Sequence, residues 1–281
     1  MSELIKNHFN NKSDEYYKDS MEYYGEIREN HKRAFPIMLY PLIEKYVGDL
    51  QGKKVCVPSS GDNVAAFGFT VLGAKVTSCD LSENQLKNAE IIEEKYGFKN
   101  IEFVCQDSMK LDKIKDGEYD LVYTSNGVHV WIDDLPAMYR NFNRILKPGG
   151  YNIFFETHPM SRPFDNTTYE VKIKKLYEDI GPHGDDKPTY AWRTQDFVNA
   201  VVSAGFNIKE MQEFHSLRED LTAHNYLHIL EEHKDNYKWH GDTFDWKINP
   251  WAALPQCLCL CSQKHMPVLT KISKFMSGED I

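Results

Sequence analysis

The chain has 281 residues, of which 41% are hydrophobic and 27% are charged. This composition is that of an ordinary soluble globular protein, and it excludes a wholly disordered, collagen-like or coiled-coil chain. The length predicts one large domain or two small ones. Acidic residues outnumber Lys and Arg by 42 to 33, which gives a formal net charge of −9. Because general binders of nucleic-acid backbones are basic, we expect a small-molecule partner and no nucleic acid.

The sequence also indicates a compartment. No apolar run reaches the roughly 18 residues that cross a bilayer, and the polar N-terminus lacks the apolar segment of a secretory signal. The six cysteines fall in apolar runs, where free thiols behave as small buried hydrophobes in a reducing cytosol. We therefore expect a cytoplasmic protein with no membrane partner, whereas the oligomeric state has no sequence signal.

Three of these cysteines, Cys257, Cys259 and Cys261, alternate along one apolar run. Such spacing can indicate a metal site, but on a strand the three residues share one face and span roughly 13 Å. One tetrahedral ion suits that row poorly. The sequence therefore predicts a packed row of thiols and no metal.

The first 50 residues are predicted to be helical and aromatic, with Pro36 and Pro41 as interruptions. Their tyrosines belong either to the core and helix surfaces or to a lid over a binding site. Beyond residue 50, short apolar runs alternate with helical patterns. The predicted strands cover 54–57, 75–80, 101–105, 119–124 and 151–156. The predicted helices between them cover 64–72, 82–96 and 136–146. This alternation is typical of βαβ units, which build a parallel sheet with helices on both faces.

The second half of the chain continues the pattern with interruptions. Thr194 is predicted to cap a helix, and two strands are predicted over 206–214 and 254–261. Two insertions, at about 157–193 and 216–251, are rich in His, Trp, Tyr and Pro. Insertions of this length tend to be binding loops or lids. We therefore predict a helical segment over 1–50, one domain over 51–264 and a polar tail over 265–281.

Polar residues follow four successive predicted strands, where an open parallel sheet binds its ligand. The first strand ends at Pro58–Asn63, and the next helix offers unpaired N–H donors there. Asp80 ends the second strand, where an acid can hold ribose hydroxyls. Asp107 follows the third strand, and Thr124–His129 follows the fourth. Asp80 and Asp107 could instead be helix caps, Asn126 could be a turn residue, and His129 could be ordinary packing.

These segments resemble a known family. VTSCDLSENQLKNAE at 76–90, EYDLVYTSNGVHVW at 118–131 and RILKPGGYNIFFE at 144–156 are similar to class I S-adenosylmethionine-dependent methyltransferases of the small-molecule type. The resemblance runs from about Gly52 to Lys264. It implies an α/β, Rossmann-like, doubly wound fold with a seven-stranded, mostly parallel sheet and substrate-side insertions. It also implies S-adenosyl-L-methionine as the cofactor.

The resemblance implies a role for several residues. Asp80 would hold the ribose hydroxyls and Leu81 would pack on the adenine. Asp107 would take the adenine amino group, with Ser108 and Met109 beside it. Asn126 and His129 would line the floor near the methionine moiety and the methyl group.

The first motif departs from the family pattern. Where the family usually has an acid and three alternating glycines, this chain has Val57-Pro58-Ser59-Ser60-Gly61-Asp62-Asn63. Only the middle glycine remains, although small or left-handed-tolerant residues can still form a tight turn. We expect the cofactor loop to consist of Ser59, Ser60, Gly61 and Asn63. The group that holds the methionine amino group stays unassigned.

The predicted reaction is in-line transfer of a methyl group to a small-molecule acceptor, in which positioning supplies most of the effect. An acceptor that must lose a proton needs a base, and the predicted bases are His129, His158 and Glu156, of which His158 could equally be a plain loop residue. Two other functions stay open, a protein-directed methyltransferase and a non-catalytic binding module. A dehydrogenase is disfavoured because its Gly-x-Gly-x-x-Gly fingerprint retains only Gly61.

Overall fold

One mixed sheet organises the chain in the computed structural model, which describes residues 2–20, 23–36, 38–61, 64–125, 127–165, 171–214, 246–247 and 250–266. The strands are β1 (Lys54–Pro58), β2 (Lys75–Asp80), β3 (Ile101–Cys105), β4 (Tyr119–Thr124), β5 (Leu146–Thr157), β6 (Phe206–Phe214) and β7 (Cys257–Lys264). The helices are α1 (Ser2–Ser20), α2 (Tyr23–Glu29), α3 (Leu39–Tyr46), α4 (Val64–Val71), α5 (Glu83–Tyr96), α6 (Leu135–Ile145) and α7 (Thr194–Ser203).

The strand order is β3-β2-β1-β4-β5-β7-β6. Strands β1 to β5 pair in parallel, and β7 is antiparallel to both of its neighbours. The order reverses beside β1, where β2 lies on one side and β4 on the other. The predicted α/β, Rossmann-like fold with a mostly parallel seven-stranded sheet is confirmed, and its switch point lies at the end of β1.

Local signals explain where the helices start and end. The Ser82 hydroxyl accepts a hydrogen bond from the Gln85 N–H at 3.1 Å and caps α5, and Gly97 ends that helix in the left-handed conformation (φ 66°). The predicted cap at Thr194 is wrong, since Arg193 precedes α7 and its N–H donates to the Asp196 carboxylate at 2.9 Å.

The last strand is shifted from its predicted position. The predicted strand covered 254–261, whereas β7 begins at Cys257 and continues to Lys264. Ser262 is fully buried, and its hydroxyl accepts a hydrogen bond from the Asn152 amide of β5 at 3.2 Å. A polar side chain that finds a partner inside the sheet does not end a strand. Residues 147–150, which separate the predicted helix at 136–146 from the predicted strand at 151–156, also belong to a strand, since β5 begins at Leu146.

Both faces of the sheet carry a hydrophobic core. The β7 cysteines Cys257, Cys259 and Cys261 lie in the core on one face, and Leu258 and Leu260 lie in the core on the other. The predicted packed row of thiols is therefore confirmed, and none of the six cysteines, all of which the structure describes, forms a disulfide. Helices α2, α3 and α4 cover the first face, whereas α6 and α7 cover the second.

The predicted segments around the domain are described only in part. The structure contains α1, α2 and α3 within residues 1–50. Of the insertion at 157–193, the described residues 157–165 and 171–193 are largely irregular, with isolated bridges such as Phe164 to Ile173. Most of the predicted insertion at 216–251 and of the tail at 265–281 lies outside the described residues. Among the helices that the structure describes, none has the length and apolarity to cross a membrane.

Candidate functional site

A cavity of about 430 Å³ lies at the carboxyl ends of β1 to β4. Eight of the predicted cofactor residues line it together: Ser59, Ser60, Gly61, Asp80, Leu81, Asp107, Ser108 and Met109. Its other lining residues are Ile5, Phe9, Tyr16, Gln85, Ser125, Gly127, Val128, Trp131 and Ile132. The predicted residues Asn63 and Asn126 lie outside the described part of the chain. The volume is in the range of small-molecule sites, about 300–1,000 Å³.

The loop after β1 turns tightly although it has lost two glycines of the family pattern. Ser59 and Gly61 both adopt left-handed conformations, with φ of 49° and 55°. The Ser59 hydroxyl lies 2.6 Å from the Ser108 hydroxyl, and the Ser60 N–H donates to the Cys79 carbonyl at 2.9 Å. The left-handed conformation costs a non-glycine residue roughly 1–2 kcal/mol. Hydrogen bonds to β2 and to the turn after β3 hold Ser60 and Ser59, and Ser59 occupies a position where the family usually has glycine.

Asp80 connects this loop to the end of β2. Its side chain is buried, and its carboxylate accepts hydrogen bonds from the Gly61 N–H at 3.0 Å and the Ser82 N–H at 2.8 Å. Burial raises the pKa of Asp80, and the hydrogen bonds from Ser82 and Gly61 offset this rise only partly. The alternative that Asp80 caps α5 is wrong, because Ser82 occupies that position.

Asp107 holds the turn that follows β3. Its carboxylate accepts a hydrogen bond from the Met109 N–H at 2.9 Å, and its carbonyl accepts from the N–H groups of Lys110 and Leu111. The structure assigns no helix to the residues that follow, so the helix-cap alternative for Asp107 is also wrong. The turn places Ser108 and Met109 on the cavity wall.

Two of the predicted bases, His129 and Glu156, form a buried pair behind the cavity wall. The imidazole Nδ1 lies 2.8 Å from the Glu156 Oε1, and Nε2 lies 2.8 Å from the Tyr139 hydroxyl. Burial opposes the charge on Glu156, but hydrogen bonding and the charge of His129 outweigh it, so the pKa of Glu156 lies below its ordinary value. Neither side chain lines the cavity.

The third predicted base, His158, is also enclosed. Its Nε2 lies 2.7 Å from the Glu213 Oε1, and its Nδ1 accepts a hydrogen bond from the Met160 N–H at 3.1 Å. The side chain is 2% exposed and does not line the cavity. The structure therefore brings eight predicted cofactor residues together at the cavity and none of the three predicted bases. His129, which was also expected to line the floor near the methyl group, is instead buried behind the wall.

Helix α1 forms a roof that the sequence analysis did not identify residue by residue. Ile5, Phe9 and Tyr16 line the cavity from one face of α1. Their spacing of four and seven residues is an amphipathic signal from which this face could have been found. What the spacing does not reveal is the surface that the helix covers.

The roof is held from two sides. On one side, the Asn10 Oδ1 accepts hydrogen bonds from the Ser82 hydroxyl at 2.6 Å and the Asn84 N–H at 3.3 Å. On the other side, the rings of His8 and Phe9 pack against Trp131 with centroid distances of 5.7 and 5.2 Å. The ammonium of Lys187 lies 5.3 Å from the centre of the same indole.

Comparison with known proteins agrees with this geometry. Residues 58–154 match the model of a family described as a methyltransferase domain, and this stretch begins in β1 and ends in β5. This part of the chain is a methyltransferase domain. S-adenosyl-L-methionine, the predicted cofactor, agrees with that match.

Curated relatives of the methyltransferase have related activities. It is 27% identical over 188 residues to the ubiquinone biosynthesis O-methyltransferase of Acinetobacter baylyi, covering 66% of this chain and 75% of the relative. It is 30% identical over 146 residues to the demethylmenaquinone methyltransferase of Staphylococcus carnosus, covering 52% of this chain and 59% of the relative.

Solved structures of the same fold extend over more of the chain. An S-adenosylmethionine-dependent methyltransferase from Mesorhizobium loti matches with a TM-score of 0.58 at 19% identity, covering 80% of the methyltransferase and 97% of that chain. A putative S-adenosylmethionine-dependent methyltransferase from Listeria monocytogenes matches with a TM-score of 0.59 at 18% identity, covering 80% and 96%. The shared fold includes the sheet on which the cavity lies.

Proposed function

We propose that the methyltransferase transfers a methyl group to a small-molecule acceptor by in-line displacement inside the cavity. The observation that carries this proposal is the roof, because Ile5, Phe9 and Tyr16 of α1 narrow the space above the strand ends. A space of about 430 Å³ suits a small ligand better than a folded protein surface. The relatives named for ubiquinone biosynthesis and for demethylmenaquinone support a small acceptor.

We assign the cofactor contacts to the strand ends. The Asp80 carboxylate accepts hydrogen bonds from the ribose hydroxyls, and Leu81 packs on the adenine. The turn at Asp107 accepts a hydrogen bond from the adenine amino group, with Ser108 and Met109 beside it. We assign the methionine carboxylate to the described part of the β1 loop, Ser59, Ser60 and Gly61. The roles expected for Asn63 and Asn126 stay predictions, because both residues lie outside the described part of the chain. The bound cofactor supplies an electrophilic methyl group on a sulfonium. The fit is supported by two buried or half-buried acids at adjacent strand ends.

The protein contributes mainly orientation and exclusion of water. In the part of the wall that the structure describes, the ionisable side chains are Asp80, Asp107 and Tyr16. The two acids are assigned to the cofactor, so we propose that the acceptor reaches the pocket with its lone pair already available, or passes a proton to water. A catalytic role for His129, His158 or Glu156 stays a prediction, and their bonded positions behind the wall do not favour it.

Calorimetric titration tests the cofactor assignment. We expect S-adenosylmethionine and S-adenosylhomocysteine to bind at micromolar Kd, about −8 kcal/mol, and NAD not to bind. Asp80→Asn should lower the affinity for both adenosyl ligands at least about tenfold, because hydrogen bonds to a charged group contribute roughly 1.5–3 kcal/mol. Asp120→Asn is the matched control, since Asp120 is a carboxylate at the opposite end of the sheet. Equal affinity in wild type and Asp80→Asn would refute the assignment.

An acceptor screen tests the reaction. Labelled methyl transfer should occur to one class among small phenols, amines and thiols, and not to proteins of a cell extract. Methyl incorporation into protein alone would favour a protein-directed enzyme. Cofactor binding without any transfer would contradict the assigned small-molecule reaction and leave a binding protein.

A further inference from the structure

Glu156 is a buried carboxylate whose purpose the cofactor contacts do not explain. It is the penultimate residue of β5, and its side chain is 1% exposed. Strand β5 lies parallel to β4, with Phe154 opposite Thr124. The Glu156 side chain therefore lies beside the loop that follows β4.

Four N–H groups of that loop point at this one carboxylate. Oε1 accepts from the Val128 N–H at 2.9 Å, the His129 N–H at 3.0 Å and the His129 Nδ1 at 2.8 Å. Oε2 accepts from the Gly127 N–H at 3.2 Å. A carboxylate offers about four acceptor positions, so its capacity is used. This explains why Glu156 is not free to accept a proton from a substrate.

The bonds determine part of the cavity wall. Gly127 and Val128 both line the cavity, and Gly127 has a left-handed φ of 83°. Without a common acceptor, these N–H groups in the wall would lose the hydrogen bonds that fix their positions. A single side chain on β5 thus fixes the part of the wall that is formed by the loop after β4.

The position of this wall along the cavity follows from the strand order. Strand β1 separates β4 from β2, and strands lie about 4.8 Å apart, so the β4 wall is roughly 10 Å from the end of β2. The proposed function assigns the adenosine to β2 and β3. The wall at Gly127 and Val128 then faces the opposite, amino-acid end of the cofactor.

We infer that Glu156 is a positioning residue, whose carboxylate holds the Gly127–His129 loop as the wall for the methionine end of the cofactor. The inference rests on the proposed cofactor assignment. His129 transmits the constraint further, because its Nε2 lies 2.8 Å from the Tyr139 hydroxyl on α6 and its ring packs 4.9 Å from Phe197 on α7. The loop is thereby fixed to the layer of helices behind the sheet.

Glu156→Gln is the informative variant. Glutamine keeps the shape and one acceptor oxygen but turns an N–H₂ donor towards the loop N–H groups, which destabilises the wall. The probes are S-adenosylhomocysteine, which has both ends of the cofactor, and methylthioadenosine, which lacks the amino-acid end. We expect the variant to bind S-adenosylhomocysteine about tenfold more weakly, which is the effect of one buried polar group left without a hydrogen bond. The affinity for methylthioadenosine should stay unchanged.

Controls separate this effect from a general loss of stability. Asp120→Asn removes a carboxylate that accepts the Lys54 N–H at 2.9 Å and pairs with Lys147, at the other end of β4. It should lower Tm without changing the ratio of the two affinities. If Glu156→Gln does not fold, Tyr139→Phe gives the same measurement, because it removes the hydroxyl that supports His129.

The outcomes are distinct. Selective loss of S-adenosylhomocysteine in Glu156→Gln, or in Tyr139→Phe where the first does not fold, supports the inference. Equal loss of both ligands, or no loss of either, overturns it. If wild type itself binds neither adenosyl ligand, the proposed cofactor assignment fails instead.

Discussion

Two buried carboxylates at strand ends of the same sheet have pKa shifts of opposite direction. Burial raises the pKa of Asp80, whose oxygens accept backbone N–H groups of Gly61 and Ser82. The pKa of Glu156 is lowered, because His129 and the loop N–H groups outweigh its burial. A carboxylate is stabilised by donors and destabilised by burial, and the balance decides the sign. The two residues therefore respond differently to acid.

For Asp80 we predict that cofactor affinity falls as the pH is lowered. A raised pKa means that Asp80 takes up a proton before an ordinary aspartate does, and a protonated acid accepts ribose hydroxyls poorly. Calorimetry with S-adenosylhomocysteine at a series of pH values, from neutral down towards the ordinary aspartate pKa of about 3.9, measures this loss. Asp80→Asn should show weak binding with little pH dependence. An equally steep dependence in the variant would contradict the prediction.

For Glu156 we expect acid to change the free energy of unfolding. Since its folded-state pKa is depressed, its contribution is present above the unfolded carboxyl pKa and is lost as the pH falls through the lower folded value. The free energy of unfolding of wild type should therefore fall more steeply below about pH 4.5 than that of Glu156→Gln. Urea titrations at several pH values measure both slopes. Parallel curves would show that Glu156 contributes nothing to acid sensitivity.

At the scale of elements, α1 is attached to the site through few polar contacts. Asn10 bonds to Ser82 and Asn84 at the start of α5, and Lys6 pairs with Glu83. Water screens surface ion pairs of this kind, so they contribute little, whereas a partly buried hydrogen bond contributes roughly 0.5–1.5 kcal/mol. Asn10 is therefore the main polar attachment of the roof.

We predict that Asn10→Ala accelerates cofactor release. Losing its hydrogen bonds should raise the dissociation rate about threefold to tenfold, since 1.4 kcal/mol corresponds to a factor of ten. Stopped-flow displacement of S-adenosylhomocysteine measures the rate. Asn7→Ala is the matched control, because Asn7 is on the same helix and exposed. Identical rates in both variants would mean that α1 does not limit release.

The other attachment of α1 should depend on pH. Burial, followed by the charges of Lys187 and Lys12, lowers the pKa of His8, so docking favours the neutral imidazole. A base with a lowered folded pKa contributes stability that is complete above its unfolded value, about 6.5, and is lost as the pH falls towards the folded value.

We therefore predict easier detachment of α1 in mild acid. Limited proteolysis within residues 1–20 should be faster at about pH 5.5 than at pH 7.5, whereas His8→Phe, which keeps an aromatic ring against Trp131, should remove the difference. A protease with the same activity at both pH values is needed. Persistence of the difference in the variant would assign it to another group.

Sequence patterns predicted the positions of the helices and strands better than they predicted the contacts between these elements. Apolar runs bounded by turn residues located β1 to β6, because each run carries its own local signal. The end of β7 was missed because Ser262 is polar, and its partner Asn152 is distant in the chain. Similarly, the eight cofactor positions follow strand ends, whereas the roof depends on contacts between Asn10 and residues near Ser82 that leave no local pattern.

For the whole molecule, the sheet should protect its thiols until it unfolds. Cys259 and Cys261 are buried in the core, and burial raises the pKa of each to about 12. Because thiolates are the reactive form, we predict that iodoacetamide modifies the half-buried Cys105 first and the β7 cysteines only at the rate of global unfolding. Mass spectrometry of peptides after timed labelling tests this order. Early labelling of Cys259 would indicate local opening of β7.

The position of β7 has a consequence for synthesis on the ribosome. This strand comes last in the sheet's chain order, yet it lies between β5 and β6 and supplies the sheet partner of β6. At about 5–20 residues per second, β5 and β6 emerge well before residues 257–264 can pair with them. The nascent chain therefore exposes one unpaired edge of β5 and leaves β6 without a strand partner. Such edges invite pairing with other chains. A translational pause just before β7 would lengthen the period in which the emerging polypeptide needs a chaperone.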